Sequence, residues 1–228
     1  MRVSFIVPVY NEEATVTAVL QALDALELDH QIVVVDDGST DGTQRALSPW
    51  RGRPGVVMLE RPHRGKGAAI RAAIPHLDGD VTVIQDADLE YDPVDVPALI
   101  EPILRGAADV VYGSRLIGGR PQRAYLFWHL AANRFLSLLT DVLYNTTLSD
   151  IETGYKAFRT EILRGLELRS DGFAIEPEIT SKICRRGLRI YELPISYYGR
   201  SYDEGKKINW RDGVRAVAVT FGVRLGLY

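Results

Sequence analysis

The amino-acid sequence predicts an α/β fold with a central, mostly parallel sheet flanked by helices. Short β-branched runs alternate with segments of helical periodicity through the first half of the chain, which is typical of βαβ units. The strand-like runs are apolar on both faces, as strands covered by helices on both sides require. With 228 residues, 46% of them hydrophobic, the chain can bury the core of one domain.

Each element of the first half follows from its residue pattern. The apolar residues of the first helix recur on one face of a 3.6-residue period: Val16, Val19, Leu20, Leu23 and Leu26. The predicted helices span 13–26, 43–47 and 66–74. The predicted strands are short runs of mainly β-branched residues at 3–9, 31–35, 56–60, 81–85 and 109–112.

The second half is less regular. A segment rich in Gly and Arg at 113–123 predicts a loop, and the amphipathic stretch 124–144 predicts a long helix. Further along the chain we expect a turn at 152–154, helices at 160–166 and 176–186, a strand at 188–195 and a final helix from Trp210. We expect one domain, 1–228, with a ligand-binding half at 1–115 and a second half at 116–228.

Composition excludes several classes of function. The 27 Lys and Arg residues against 30 Asp and Glu give a net charge of −3, so no general positive field exists to hold nucleic acid. A single cysteine, Cys184, rules out an intrachain disulfide and favours a reducing, cytoplasmic compartment. The N-terminal apolar run ends at Pro8, too early for a signal peptide, and no segment approaches the roughly 20 apolar residues of a membrane span.

Carboxylates follow three of the predicted strands. They lie at 12–13, 36–41 and 86–90, and ligands of parallel α/β sheets bind beyond the carboxyl ends of the strands. Asp86 and Asp88 are two residues apart, so both can reach one ion. Oxygen ligands suit Mg²⁺ or Mn²⁺, completed by substrate phosphates and water. An isolated Asp-x-Asp is common in turns and helix caps, but the apolar run 81–84 before it favours a metal site at a strand end.

Two other polar segments have more than one interpretation. In the run 36–43, Thr40 or Asp41 can cap the next helix, whereas Asp36 and Asp37 end an apolar strand and require hydrogen-bond donors such as a base or ribose. The sequence around Lys66 lacks the earlier glycine and the following Ser or Thr of a Walker A loop, which disfavours a nucleoside triphosphatase.

Five motifs in this order and spacing resemble those of family-2 glycosyltransferases. They are Val-Pro-Val-Tyr-Asn-Glu-Glu at 7–13, Val-Asp-Asp-Gly-Ser-Thr-Asp-Gly-Thr at 35–43, Arg-Gly-Lys-Gly-Ala-Ala at 64–69, Asp-Ala-Asp at 86–88 and Gly-Ser-Arg at 113–115. Within that family, the segments 150–159, 173–176 and 200–207 make the chain most similar to the dolichyl- or polyprenyl-phosphate mannosyl- and glucosyltransferases.

The resemblance implies a GT-A fold and an inverting glycosyltransferase that uses Mg²⁺ or Mn²⁺. The donor would be a nucleotide diphosphate sugar such as GDP-mannose or UDP-glucose, bound by the half 1–115. The acceptor would be a polyprenyl or dolichyl phosphate, bound by the half 116–228. Glu152 stands where relatives usually have Thr or Ser, and Lys156 stands where they usually have Arg.

The resemblance also assigns roles to individual residues. The residues implied to bind the nucleotide sugar are Pro8, Tyr10, Glu12, Asp37, Lys66 and Asp86, and those implied to bind its diphosphate are Arg200 and Lys206. Those implied for the metal are Asp86, Asp88 and Glu90, and those implied for the acceptor phosphate are Ser114, Arg115 and Arg123. The residues expected to act in catalysis are Asp88, Arg115 and Asp150.

The nature of the acceptor decides what chemistry the protein must supply. A lipid phosphate is already ionised at neutral pH and needs no strong base, whereas a carbohydrate or small-molecule hydroxyl would need a carboxylate, for which Asp150 is the candidate. Apolar stripes at 125–139 and 214–228 with arginines nearby predict interfacial helices that contact a membrane, although packing on the core or on another subunit explains them equally well.

The sequence fits two other classes of protein less well. A nucleotidyltransferase would carry a Gly-rich basic loop near its N-terminus, which this chain lacks. A non-enzymatic membrane subunit of the same fold would be expected to have lost its metal ligands, yet Asp86 and Asp88 are both present.

Overall fold

The structure is a computed structural model that describes residues 1–120, 123, 127–200 and 210–228. Its seven-stranded sheet has the order β3-β2-β1-β4-β6-β5-β7. The strands are β1 (Val3–Val9), β2 (His30–Asp36), β3 (Val56–Glu60), β4 (Val81–Ile84), β5 (Val110–Ser114), β6 (Lys156–Arg159) and β7 (Ile190–Pro194).

Helices flank this sheet. They are α1 (Val16–Asp24), α2 (Thr43–Leu47), α3 (Lys66–Ala73), α4 (Val96–Leu104), α5 (Phe127–Tyr144), α6 (Thr160–Gly165), α7 (Ile175–Arg185) and α8 (Trp210–Arg224). Short 3-10 turns at Ser48–Trp50, Ile74–His76 and Pro93–Asp95 connect some of them to the next element.

The sheet is parallel except at β6. β1 pairs in parallel with β2 and β4, and β5 pairs in parallel with β7, whereas β6 lies antiparallel between β4 and β5. β4 and β5 therefore run in the same direction. The carboxyl ends of β1, β2, β4 and β5 consequently share one edge of the sheet, which is where the predicted functional residues lie.

Side chains alternate between two apolar layers along the strands. In β1, Phe5 and Val7 pack on the face covered by α1 and α4, while Ile6 packs on the face covered by α3 and α7. Both layers are closed to solvent, with Phe5 and Ile6 fully buried. The predicted apolar face of α1 is confirmed, since Val19 and Leu20 are also fully buried.

The sequence patterns missed two elements. The strand β6 has four residues between a glycine turn and a helix, too few to show a period, and it runs against the parallel pattern of its neighbours. The helix α4 contains Pro97 and Pro102, which obscure it in the sequence. Pro97 lies in the first turn, where a missing N–H is tolerated.

The helices α5 and α8 pack against each other and leave many apolar side chains exposed. Those on α5 are Phe127, Trp128, Phe135, Leu138 and Val142, and those on or just after α8 are Trp210, Val214, Phe221, Leu225 and Leu227. Among the described residues, no helix combines the length and the apolarity that a bilayer crossing requires. The predicted helix residues 124–126 lie outside the described ranges.

Candidate active site

One cavity of about 1110 Å³ opens at the carboxyl edge of the sheet. It brings together most of the residues singled out from the sequence: Pro8, Tyr10, Glu12, Asp37, Lys66, Asp86, Asp88, Glu90, Arg115, Arg123 and Arg200. Ser114 and Asp150 are not among the residues that line it, and Lys206 lies outside the described residues.

Asp37 shapes one end of the cavity. Its carboxylate accepts hydrogen bonds from the backbone N–H groups of Arg64 and Gly65, and His63 Nδ1 lies 2.9 Å from its Oδ2. The His63 ring in turn stacks on Tyr10, with centroids 3.9 Å apart and planes 20° from parallel. The Asp37 carboxylate is therefore not free but holds the His63 and Tyr10 rings at the rim of the cavity. This aromatic pair is a surface suited to a nucleobase.

The neighbouring Asp36 behaves differently. One of its oxygens accepts from the Ser39 N–H at 2.9 Å, while its buried Oδ2 has no hydrogen-bond partner among the described residues. The capping interpretation of this run is wrong, because the N-cap residue of α2 is Gly42, although Asp41 Oδ1 accepts from the N–H of Thr43 at 3.0 Å.

Asp86 and Asp88 follow β4 and face the cavity. The ammonium group of Lys66 lies 2.8 Å from Asp86 and 3.0 Å from the buried Glu176, and these two carboxylates raise the pKa of Lys66 although burial opposes the shift. Arg200 lies 3.1 Å from Asp88. Each aspartate of the pair is therefore held by one cation of the protein.

The chemistry of this pair fits a divalent metal. Burial, together with the charges of Asp86 and Glu90, raises the pKa of Asp88 to about 7, despite the neighbouring Arg200. Such mutual repulsion of carboxylates is what a hard cation relieves. Glu90 lies beside this pair, with its two oxygens accepting from the Tyr197 hydroxyl and from the Arg200 N–H, and its role as a third metal ligand stays a prediction.

Arg115 follows β5 and forms the other end of the cavity. Its Nε and Nη2 donate to the two oxygens of Asp150 at 2.7 and 2.8 Å, and its backbone N–H donates at 3.0 Å. Asn133 of α5 adds a further donor at 2.7 Å. Burial alone would raise the pKa of Asp150, but the Arg115 charge and these hydrogen bonds hold it below its ordinary value.

This geometry changes the roles expected for Asp150 and Ser114. Asp150 is fully buried and saturated with donors, so it positions Arg115 and is not placed to take a proton from an acceptor. Ser114 is fully buried as well, with its hydroxyl 2.6 Å from that of Ser149, so it supports the turn instead of facing an acceptor.

Arg123 joins the end of the cavity formed by Arg115 to the segment after β7. Its Nη1 donates to the carbonyl of Gly199 at 2.9 Å, and its backbone N–H donates to the carbonyl of Tyr197 at 3.2 Å. The guanidinium of Arg115 lies over the Tyr197 ring, 5.1 Å from its centroid. Arg115 and Arg123 therefore approach the cavity from the same side.

Several residues of the site were not assigned from the sequence. Glu176 is in the first turn of α7 and lies between Lys66 and the fully buried Lys156. Both cations lower the pKa of its carboxyl group against the effect of burial. The segment 173–176 was noted as a motif without a role. His63 and Asn133 lie in segments whose patterns carry no chemical signal, so only the tertiary structure shows their contacts.

Comparison with known proteins agrees with the motifs. The profile of the family described as Glycosyl transferase family 2 matches residues 4–166. The undecaprenyl-phosphate mannosyltransferase of Micrococcus luteus is 32% identical over 96% of this chain and 93% of its own length. The dolichol-phosphate mannosyltransferase of Pyrococcus furiosus is 31% identical over 90% of this chain, which spans 59% of that relative. Glycosyltransferase AglJ of Haloferax volcanii is 32% identical over 87% of the chain, which spans 63% of it.

The fold is shared with a solved enzyme. Glucosyl-3-phosphoglycerate synthase of Mycobacterium tuberculosis, in complex with Mn²⁺, UDP and glucosyl-3-phosphoglycerate, superimposes with a TM-score of 0.74 at 23% identity. The superposition covers 100% of this chain and 81% of that one. The expected GT-A fold is confirmed, and on the family profile and the M. luteus relative the chain belongs to glycosyl transferase family 2.

Proposed function

We propose that this chain transfers mannose or glucose, with inversion, from a nucleotide diphosphate sugar to a polyprenyl phosphate. The observation that carries the proposal is one cavity with three different regions. Paired aspartates lie in its donor region, the largely buried Arg115 lies at one end, and exposed aromatic side chains such as Trp128 and Trp210 form part of its wall.

The donor end supports a metal-bound diphosphate. Asp86 and Asp88 would hold Mg²⁺ or Mn²⁺, which when bound neutralises charge on the diphosphate leaving group. Lys66 and Arg200 lie against these aspartates, so they are placed to bind diphosphate oxygens as the carboxylates engage the metal. Tyr10 and His63 offer a stacking surface for the base at the rim.

The other end supports an anionic acceptor. Asp150 aligns the guanidinium of Arg115, whose planar donors suit phosphate oxygens. A phosphate nucleophile needs no proton removed, which agrees with a site where Asp150 is not placed to act as a base. A single displacement at the sugar carbon then inverts its configuration.

The exposed faces of α5 and α8 support a lipid acceptor. Their apolar side chains border the cavity and lie beside arginines such as Arg134, Arg215 and Arg224, the composition of helices that lie in a membrane interface. The names of the M. luteus and P. furiosus relatives specify lipid-phosphate acceptors for those proteins. We infer that these two helices deliver the prenyl chain to the site from the membrane surface.

A donor-by-acceptor assay tests the proposal. GDP-mannose and UDP-glucose are each offered with a short polyprenyl phosphate, with Mg²⁺ or Mn²⁺, and the glycolipid is followed by mass spectrometry. We expect a glycolipid with one of the two donors and loss of product on chelation of the metal. Transfer to free sugars or glycerol in preference to the lipid would reject the proposed acceptor.

A further inference from the structure

We infer that Glu152 binds a hydroxyl group of the sugar being transferred and selects a neutral sugar over an acidic one. The inference rests on the proposed function, since it requires a nucleotide sugar in the cavity. It assigns a specificity role to a residue at which this chain departs from the usual Thr or Ser.

The position of Glu152 follows from the turn that carries it, the segment 150–154. At one end of the turn Asp150 binds Arg115, and at the other end Gly154 lies against Asp86 so closely that a side chain there would overlap the Asp86 carboxylate. The turn therefore runs from Arg115, at the end of the cavity proposed for the acceptor, to Asp86, at the proposed metal site. In a single displacement the sugar lies between the nucleophile and the leaving diphosphate, hence beside the middle of this turn.

The neighbours of Glu152 fix which way it faces. Ile151 and Thr153 are fully buried, and the Thr153 hydroxyl donates to the carbonyl of Gly113 at 2.7 Å. Glu152 lies between them, is partly exposed and lines the cavity. The side chain of Glu152 therefore faces the cavity while its two neighbours face the protein interior.

The carboxyl group of Glu152 has no hydrogen-bond partner within the part of the chain that the structure describes. Its Oε1 is buried without a hydrogen bond, and none of the described residues donates to either oxygen. Its nearest charges are those of Glu176, Lys156, Arg115 and Asp150, which are largely paired with one another. A buried carboxyl group without donors is costly, and sugar hydroxyls are the donors that the proposed substrate would bring.

The same arrangement predicts which sugars are rejected. A uronic acid would bring a further carboxylate into a cavity that is already lined by Glu152, Asp86 and Asp88. Repulsion between like charges in a partly desolvated site discriminates strongly. A neutral hexose avoids this repulsion.

Calorimetric binding to Glu152→Ala and Glu152→Gln tests the inference without any acceptor. The probes are UDP-glucose and GDP-mannose, the corresponding UDP and GDP, and UDP-glucuronate, all with Mg²⁺. Exposed Glu161→Gln serves as the control variant. We expect Glu152→Ala to weaken nucleotide-sugar binding about tenfold or more while UDP and GDP bind as before, because only the sugar contact is lost. Glu152→Gln should narrow the preference for UDP-glucose over UDP-glucuronate.

Three outcomes would overturn the inference. Equal weakening of nucleotide sugar and nucleoside diphosphate would indicate a structural role for Glu152. Loss of turnover in Glu152→Gln with unchanged sugar binding would indicate a base. Unchanged binding of UDP-glucose and GDP-mannose to Glu152→Ala would leave no sugar contact to assign. In contrast, Glu152-dependent sugar binding without glycolipid formation would reject the proposed acceptor and leave this inference standing.

Discussion

Replacing Asp150 with asparagine tests whether this residue positions Arg115 or acts as a base. The side chain of Asp150 is fully buried, and that of Arg115 is only 18% exposed. Four hydrogen bonds converge on the carboxylate, three from Arg115 and one from Asn133. Asparagine keeps the shape and one acceptor oxygen but removes the charge that opposes the guanidinium.

The size of the effect follows from burial. Removing one partner of a buried ion pair costs about 3–5 kcal/mol, because the remaining charge is left desolvated. Since asparagine can still accept from Arg115, we expect Asp150→Asn to lower the free energy of unfolding by about 3 kcal/mol, the lower end of that range. Misplacement of Arg115 should also raise KM for polyprenyl phosphate more than KM for the donor.

The chain provides a matched control at the other end of the same strand. Asp109 precedes β5 and accepts hydrogen bonds from Arg189 at 2.7 and 3.0 Å, the same two-point geometry as at Arg115. The Arg189 side chain is 54% exposed, so solvent screens this pair. Asp109→Asn should therefore cost much less stability than Asp150→Asn and leave KM for the acceptor unchanged.

Urea unfolding as a function of pH completes the test. The folded protein holds the pKa of Asp150 below its ordinary value of 3.8, so the stability from this pair is present above that pH and is lost as the pH falls below it. The difference between wild type and Asp150→Asn should shrink over that acidic range. If Asp150→Asn unfolds like the wild type and loses kcat alone, the positioning role is wrong and Asp150 acts on the reacting groups.

Other predictions follow from the same geometry. Asp88→Asn should abolish transfer. In thermal unfolding it should also abolish the rise in Tm that Mg²⁺ with GDP or UDP gives the wild type. An unchanged rise in Tm would reject the assignment of Asp88 as a metal ligand. Burial and the Glu176 charge raise the pKa of Glu152 from 4.5 to about 7, so ionisation of this group lowers the stability of the ligand-free protein as the pH rises across that interval. The free energy of unfolding of Glu152→Gln should therefore rise relative to that of the wild type from pH 4.5 to 7, by at most about 3 kcal/mol. A difference that stays constant with pH would contradict the raised pKa. Trp128→Ala should weaken binding to vesicles that contain anionic lipid, measured by sedimentation. Leu104→Ala, at the opposite edge of the sheet, should not weaken it. Equal vesicle binding by both variants would argue against α5 as the membrane-docking surface.

The sequence was sufficient for the parallel half of the fold. Strands such as Val3–Val9 and Val56–Glu60 were predicted to the residue, because buried parallel strands are short apolar runs bounded by polar turns. The antiparallel strand Lys156–Arg159 escaped prediction, since its place between β4 and β5 is set by tertiary packing and not by a pattern of its own.

For the site, sequence motifs placed residues correctly at the cavity but did not define their partners. Asp86 and Asp88 could be paired from spacing alone, because two residues after one strand must lie together. The link between Arg115 and Asp150 crosses 35 positions, and that between Arg200 and Glu12 crosses 188, so no local pattern reveals either. The sequence alone therefore leaves Asp150 as a candidate base, whereas the structure shows the donors that occupy it.

The division of the chain into a nucleotide-sugar half and an acceptor half stays a prediction, as does the cytoplasmic location. Residues from both halves line the one cavity, for example Asp86 and Glu176. The predicted contact of Lys206 with the donor diphosphate also stays a prediction, because it falls outside the described residues.

Competition between a lipid phosphate and the matching lipid alcohol tests the central claim most directly. Polyprenyl phosphate and polyprenol of the same length are offered together with the preferred nucleotide sugar and Mg²⁺, and the products are separated and their anomeric configuration determined. We predict a glycosyl phosphate lipid with inverted configuration and no product on the alcohol, since Arg115 supplies a phosphate-binding group and Asp150 is not placed to act as a base. Glycosylation of the alcohol, or a product with retained configuration, would contradict the account.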